Sequence, residues 1–413
     1  MNDYYTSIEL GTDTIKILVC QKVDDDFHVI AQVCEKSQGI KKGIIVDTKQ
    51  AITSVKKALK KINEMLQIKI TKAIVCIPAI DCRMDIVVGS CDVIDYQEIT
   101  GEDVSNVLKD ALIGHVYDDE ELITAVPISF KVDEEDNIKD PKGMAGKSIE
   151  TRVLMTTSPK DLVYKILEVL KLSGIDAIDV CYSTTGDYFA IRNDNLDKQV
   201  GAIVNIGEDK TTISVFNKGI MIKNKVISVG SRNIDNDISY IYKTSKEDSR
   251  FLKENFVVSS ARYADVNETH KVRLDTDEIK EISQLELSKV VEARLIEILN
   301  LIKNELKNLT KREIRYIIIT GGVSELAGFQ YLLEDELGIK ARVCNMTTMG
   351  IRHNKYSSVF GIIKYFDTKL NLRGKQTNML SESDIESLIT IRETKGSNDN
   401  NIINKVFGRF FEN

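Results

Sequence analysis

Ser7-Ile8-Glu9-Leu10-Gly11-Thr12-Asp13-Thr14-Ile15-Lys16-Ile17-Leu18-Val19 is two apolar runs joined at a Gly-Thr tip. A glycine, a hydroxyl and an adjacent acid at a hairpin tip suit the end of a polyphosphate. Backbone N–H groups can approach where Gly11 has no side chain, and Thr12 adds a hydroxyl donor. Alone, strand–Gly–Thr–strand is most often an ordinary hairpin. A near-repeat gives it weight: Ala202-Ile203-Val204-Asn205-Ile206-Gly207, then Thr211-Thr212-Ile213-Ser214-Val215-Phe216. Two such hairpins in one chain predict two similar halves facing a shared cleft. A third turn of the same kind follows the buried run Arg315 to Thr320. There Gly321-Gly322, with Ser324 as a cap, predicts a phosphate- or nucleoside-binding turn at a helix N-terminus.

The 413-residue chain is long enough for several domains with full cores. Hydrophobic residues at 42% and charged residues at 29% describe an ordinary globular protein. A net charge of −7 argues against a nucleic-acid binder, which carries a basic footprint. The seven cysteines are scattered without a Cys-x-x-Cys pair and read as reduced thiols. The four histidines lie far apart, so no metal centre is expected from them. The N-terminus has no basic segment followed by an apolar one, and secretion is not expected.

Asp47 and Gln50 open a helix whose Ile52, Val55, Leu59, Ile62 and Leu66 form one apolar face, while Lys49, Lys56, Lys57, Lys60 and Lys61 read as a solvated basic face, with a lipid or acidic-partner contact as the alternative. Residues 84–158 have their own pattern: three strands and one helix, with a polar turn from Asp136 to Gly146, enough for a small α+β module. Ser158-Pro159-Lys160-Asp161 reads as a capped helix start. Asp235 to about Thr310 is mainly helical and charged, ending in a long helix from Ser283.

From Asn371 to Asn400 the composition turns polar and reads as a tether, with Ile385 to Ile391 as a short segment able to dock. In the last stretch, at about 100° per residue, Ile402, Ile403, Val406, Phe407, Phe410 and Phe411 occupy one continuous half of a helical wheel. Polar residues fill the other half. A three-phenylalanine face behind a tether predicts an interfacial membrane helix, with docking on the chain itself or on a partner groove as alternatives. With two cations and a short apolar face it binds lipid weakly as one copy, which points to an oligomer or filament.

The sequence resembles the FtsA family of bacterial actin-like cell-division proteins over essentially its full length. The resemblance is carried by Glu9-Leu10-Gly11-Thr12, by Gly39-Ile40-Lys41-Lys42-Gly43-Ile44-Ile45-Val46-Asp47, by Ile138-Lys139-Asp140-Pro141-Lys142-Gly143-Met144, by Thr320-Gly321-Gly322 and by the amphipathic C-terminus. It implies an α/β actin-like fold of two halves with an inserted small α+β domain. The core of the first half would take residues 1–83, 159–197 and 356–370, and the insert 84–158. The core of the second half would take 198–230 and 311–355, and its small subdomain 231–310. Residues 371–400 would be a flexible linker and 401–413 the membrane helix.

The resemblance further implies ATP, with Mg2+ as a companion ion, held by Glu9, Gly11, Thr12, Asn205, Gly207, Thr211, Lys253, Gly321, Gly322 and Ser324. It implies filaments on an anionic membrane surface, at the cytoplasmic face of the division site, together with other division proteins. Its principal partner would be the C-terminal tail of the tubulin-like FtsZ, met by Arg294 and Glu297 of Val291-Glu292-Ala293-Arg294-Leu295-Ile296-Glu297. Without the resemblance, that pair reads equally as an exposed i, i+3 contact.

Several positions depart from the family pattern. The second phosphate hairpin of the family typically reads Asp-Ile-Gly-Gly-Gly-Thr-Thr-Asp; here it is Asn205-Ile206-Gly207-Glu208-Asp209-Lys210-Thr211-Thr212. Side chains and negative charge replace bare backbone, Lys210 offsets part of that charge, and the neutral Asn205 weakens metal binding. Arg250 and Phe251 stand where the family has Glu and Lys, while Lys253 is kept. Cys181-Tyr182 occupy the place of a water-positioning Gln or Glu, and neither is a general base. No catalytic residue is assigned, and nucleotide binding with at most weak ATPase turnover is expected. Two other readings stay open: a diverged FtsA-like or pilus-type actin-like adaptor for another membrane machine, and a small-molecule kinase of the actin superfamily.

Overall fold

The computed structural model describes residues 3–273, 278–351, 353–385 and 387–388. Alternation of apolar residues around the first tip produces β1 (Asp3–Leu10), β2 (Thr14–Val23) and β3 (Asp26–Lys36), an antiparallel meander with Glu9 opposite Lys16 and Leu10 opposite Ile15. The short strands β4 (Ile40–Lys41) and β5 (Ile44–Ile45) pair with each other before α1 (Thr48–Leu66). Asp47 caps α1 by accepting from the Gln50 N–H, and its lysines are exposed. β6 (Lys72–Ile77), parallel to β1, ends at Pro78.

The insert contains β7 (Arg83–Asp92), α2 (Gly101–Leu112), β8 (Glu120–Val132), β9 (Glu135–Ile138) and β10 (Ser148–Pro159) in the sheet order β7-β10-β8-β9. Thr100 and Asp103 cap α2 reciprocally. The sequence predicted three strands here. The fourth, β9, falls inside the expected polar turn because only Ile138 gives it an apolar anchor. Next comes α3 (Lys160–Leu172). Ser158 does not cap it: β10 continues to Pro159, and the buried Ser158 hydroxyl makes no hydrogen bond among the described residues.

β11 (Asp176–Tyr182) completes a five-stranded sheet ordered β11-β6-β1-β2-β3, and α4 (Ser183–Ile191) leads into the second half. There β12 (Val200–Ile206), β13 (Thr211–Asn217) and β14 (Ile220–Ile227) repeat the meander. The small subdomain follows with α5 (Ser231–Tyr242), α6 (Lys246–Asn255), the hairpin β15 (Thr269–Arg273) and β16 (Ile279–Ser283), and α7 (Gln284–Leu309). β17 (Tyr316–Thr320), α8 (Phe329–Leu337) and β18 (Ala341–Val343) close a sheet ordered β14-β13-β12-β17-β18. Each half is thus an antiparallel meander extended by two parallel strands, the duplication that the two hairpins predicted. α9 (Ser357–Leu372) returns the chain to the first half.

Each half and the insert bury a core of their own. α4 and α9 meet backbone to backbone at the junction of the halves. A Cβ added to Gly361 would lie 1.7 Å from the Gly186 carbonyl oxygen, so glycine is required at this crossing.

The stretch read as a linker from Asn371 begins docked. Met379 and Leu380 are buried, the Met379 N–H donates to the Tyr4 carbonyl (3.0 Å), and Leu388 is buried too. These side chains join the core of the first half, which outweighs the polar composition around them. Residues 401–413, with Ile402, Ile403, Val406, Phe407, Phe410 and Phe411, lie outside the described residues.

Candidate functional site

The two halves enclose a cleft of about 480 Å³, in the range of small-molecule sites. Both meander tips reach it and are built alike. Gly11 N–H donates to the Thr14 carbonyl (3.0 Å), and Gly207 N–H donates to the Lys210 carbonyl (3.0 Å). Each glycine therefore spends its own N–H closing its hairpin.

The first tip is well supplied with charge. Glu9 pairs with Lys16 at 2.7 Å across the antiparallel register. Burial alone would lower the Lys16 ammonium, but Glu9 overrides it and holds it above its ordinary value. The Thr12 hydroxyl oxygen accepts from the Gly43 N–H (2.9 Å). Both carboxylate oxygens of Asp13 accept from Arg250 on α6 (2.6 Å each), joining the first hairpin to the small subdomain of the second half. Burial favours the protonated acid, and the Arg250 bonds outweigh it and hold Asp13 below its ordinary value.

The second tip is occupied differently. Its Gly207 and Glu208 carbonyls accept from the Ser231 and Arg232 N–H groups (2.9 Å each), so the first turn of α5 is already satisfied. Arg232 pairs with Asp209 and lies 3.5 Å from Glu208. Asn205 donates to Asp187 (2.8 Å), whose other oxygen accepts from the Ser357 hydroxyl (2.5 Å). Burial pushes the Asp187 carboxyl up to about 6 despite these two donors.

Glu9, Gly11, Thr12, Asn205, Gly207, Lys253, Gly321 and Gly322 all line the cleft. Lys253, 4% exposed, is held by Asp235 and the Ser231 hydroxyl at 2.7 Å each. Gly321 has φ of +93°, and a Cβ there would lie 2.4 Å from the Ile206 carbonyl oxygen.

Two expected residues are not among the lining residues. Thr211 is fully buried and donates to the Val229 carbonyl (2.8 Å), whereas Thr212, on the opposite face of β13, lines the cleft. Ser324 caps no α-helix. Gly322–Glu325 is a 3-10 turn, the Ser324 hydroxyl donates back to the Gly321 carbonyl (2.7 Å), and α8 starts only at Phe329. The expected double-glycine helix N-terminus is therefore a tight turn, separated from α8 by Leu326, Ala327 and Gly328. Cys181 and Tyr182 are buried, and neither lines the cleft. Lys16 was legible from its register with Glu9. Asp187 and the Asp13–Arg250 pair were not, because no local pattern marks contacts between distant segments.

On α7, Arg294 is gripped from α5: its Nε and Nη2 donate to Asp237 at 2.5 and 2.9 Å, and its Nη1 donates to Glu297 at 2.5 Å.

A family model described as "Cell division protein FtsA" matches residues 202–361, and one described as "SHS2 domain inserted in FTSA" matches residues 82–157. The chain belongs to the FtsA family. Its relatives include the cell division protein FtsA of Bacillus subtilis (strain 168), 29% identical over 91% of this chain and 86% of that one. That of Streptococcus pneumoniae is 28% identical over 89% and 82%. The fold is shared with the type IV pilus PilM–PilN complex (TM-score 0.60, 12% identity, 87% of this chain and 98% of that one). It is shared too with MreB5 of Spiroplasma citri bound to ADP (0.55, 12%, 90% and 98%). This FtsA-family chain is an actin-like cell-division protein with the SHS2 insert in its first half. Among the described residues no helix is long and apolar enough to cross a membrane.

Proposed function

We propose that this FtsA-family chain binds ATP in the cleft, assembles into filaments and tethers the FtsZ ring to the cytoplasmic face of the membrane at the division site. The observation that carries the reading is the cleft itself. Two equivalent hairpin tips and the Gly321-Gly322 turn converge on one cavity in a chain of this family. Thr12, the glycine turns and Lys253 would receive the phosphates and the nucleoside, and the halves would close around them. Hydrolysis finds little support. One oxygen of Glu9 is paired with Lys16, and both oxygens of Asp187 already accept from Asn205 and Ser357, so neither carboxylate is free of donors to position water.

Mg2+ does not fit these residues. The hard cation takes waters and phosphate oxygens and needs one or two protein carboxylates beside them, and Asn205 offers a neutral amide where the family has an acid. Among the described residues no group of three or more His, Cys, Asp or Glu side chains could hold a metal ion.

FtsZ binding would use α7, where Arg294 can release Glu297, its more exposed partner, to meet an acidic tail while Asp237 keeps the guanidinium aimed. The test is capture of the full-length chain by a synthetic peptide of the FtsZ C-terminal tail. Binding that Arg294→Ala weakens about tenfold supports the site. Absence of binding would assign the chain to another client. For the cleft, ATP turnover well above background and abolished by Glu9→Ala would overturn the non-hydrolytic reading.

A further inference from the structure

We propose that Lys210 does in this cleft what a divalent cation does elsewhere: its ammonium neutralises the phosphates of a bound nucleoside polyphosphate, so that binding does not require Mg2+. The proposal rests on the reading that the cleft holds a nucleotide.

The carboxylates that could attract a cation are already engaged. Glu9 is paired with Lys16, both oxygens of Asp13 with Arg250, and both oxygens of Asp187 with Asn205 and Ser357. Asp209 is held by Arg232, and Glu208 accepts from the Ser231 hydroxyl (3.3 Å). A Mg2+ carried in on a nucleotide takes most of its ligands from phosphates and waters, and the neutral Asn205 adds little to them.

Lys210 is the reverse case. It closes the second hairpin tip, and its side chain crosses the cleft to the first half. A Cβ built on Gly43 would lie 2.3 Å from Lys210 Nζ, so the ammonium rests against the Gly43 backbone, whose N–H is bonded to Thr12. The cation therefore lies beside Gly43, the residue whose N–H is bonded to the hydroxyl that a phosphate would meet. No hydrogen bond or ion pair engages it among the described residues. Burial pushes it down to about 8, with Glu9 only partly opposing the shift. A partly buried cation without a partner is costly, and a polyphosphate would supply the missing charge.

The same substitutions that remove the metal site thus install a cation. Position 205 loses its acid, the glycines are replaced, and the tip gains Lys210.

The experiment is calorimetric titration of ADP and ATP into the full-length chain, in Mg2+ and in excess chelator, at pH 7 and pH 9.5. Expected for the native chain is an affinity that changes by less than about threefold on chelation and weakens at the higher pH as Lys210 loses its charge. Lys210→Met loses about tenfold or more in chelator, whereas Lys210→Arg keeps most of the affinity and loses the pH dependence. Native binding that collapses on chelation, or a Lys210→Met chain that binds as well as the native one, overturns the proposal and leaves the nucleotide reading standing. No binding under any condition overturns both. Thermal unfolding of each variant separates lost binding from lost folding.

Discussion

Lys210 and Asp187 are the residues at which this cleft works against its own stability. The folded Lys210 ammonium releases its proton at about 8 rather than at its ordinary 10.5. Between those values the unfolded chain still holds a proton that the fold has lost, so stability rises with pH through the window and the full penalty is present below it. Lys210→Met should therefore stabilise the nucleotide-free chain at pH 7 by about 1–3 kcal/mol, an advantage that fades as the pH approaches 10.5. Denaturant unfolding at pH 7, 9 and 10.5 reads this directly, and an unstable Lys210→Met chain would show the lysine to be structural. Asp187 has the opposite sign of charge and the same logic. Its folded carboxyl keeps a proton up to about 6, against its ordinary 3.8. Its contribution to stability therefore falls as pH rises from about 4 to 6, and the penalty persists above that. Asn at this position can accept from Asn205 and donate to Ser357. Asp187→Asn should thus match or exceed the native stability at pH 7 and lose ground to it near pH 4, which the same titration at pH 4, 5 and 7 checks. Residues that cost stability and line a cleft are what a binding site looks like before its ligand arrives.

At the scale of elements, the junction of the halves is two helices crossing through glycine. α4 and α9 carry the chain between the halves, and Gly186 and Gly361 let their backbones touch. Gly361→Ala would drive a methyl group into the Gly186 carbonyl, and neither helix backbone can yield cheaply. A loss of about 3 kcal/mol or more is expected, seen as a lower unfolding midpoint, whereas Gly374→Ala, with open space around its Cβ but a φ of +62°, should cost only the backbone strain of about 1–2 kcal/mol. That contrast also shows which elements were legible in the sequence. The meanders were, because antiparallel neighbours in the chain write their alternation locally, and the near-repeat of the tips gave the duplication. β15 and β16 were not, since Val272 and Ile282 are their only fully buried residues and charged residues fill the rest. Ser158 looked like a cap and is instead a buried strand residue, because tertiary pairing with β8 overrode a local signal. The Gly321-Gly322 helix start became a 3-10 turn, and Thr211 proved one position out of phase with the cleft. In a strand, one residue decides which face is reached. The Asp13–Arg250 and Asp187–Ser357 contacts join segments 237 and 170 residues apart, and only the fold brings them together.

For the whole molecule, the two halves, the insert and the C-terminal segment have to act as one assembly, and the segment tests whether they do. Six apolar residues on residues 401–413 bury too little surface to hold a single chain of this size on a bilayer for long. Linked copies gain avidity by factors of about 10²–10⁴ without any new contact, so attachment should depend on polymerisation as much as on this segment. Full-length protein should sediment with vesicles containing anionic lipid, and its bound fraction should rise steeply and sigmoidally with protein concentration, following filament formation. A chain ending at residue 400 should still polymerise with nucleotide yet stay in the supernatant. Replacing Phe407 and Phe411 by Ser should have the same effect, because it removes apolar area and leaves both cations in place. If the shortened chain sediments as well as the full one, the C-terminal segment is not the anchor. If binding rises linearly from the lowest concentration, the segment holds single copies by itself, and polymerisation is not needed to keep this protein on the membrane.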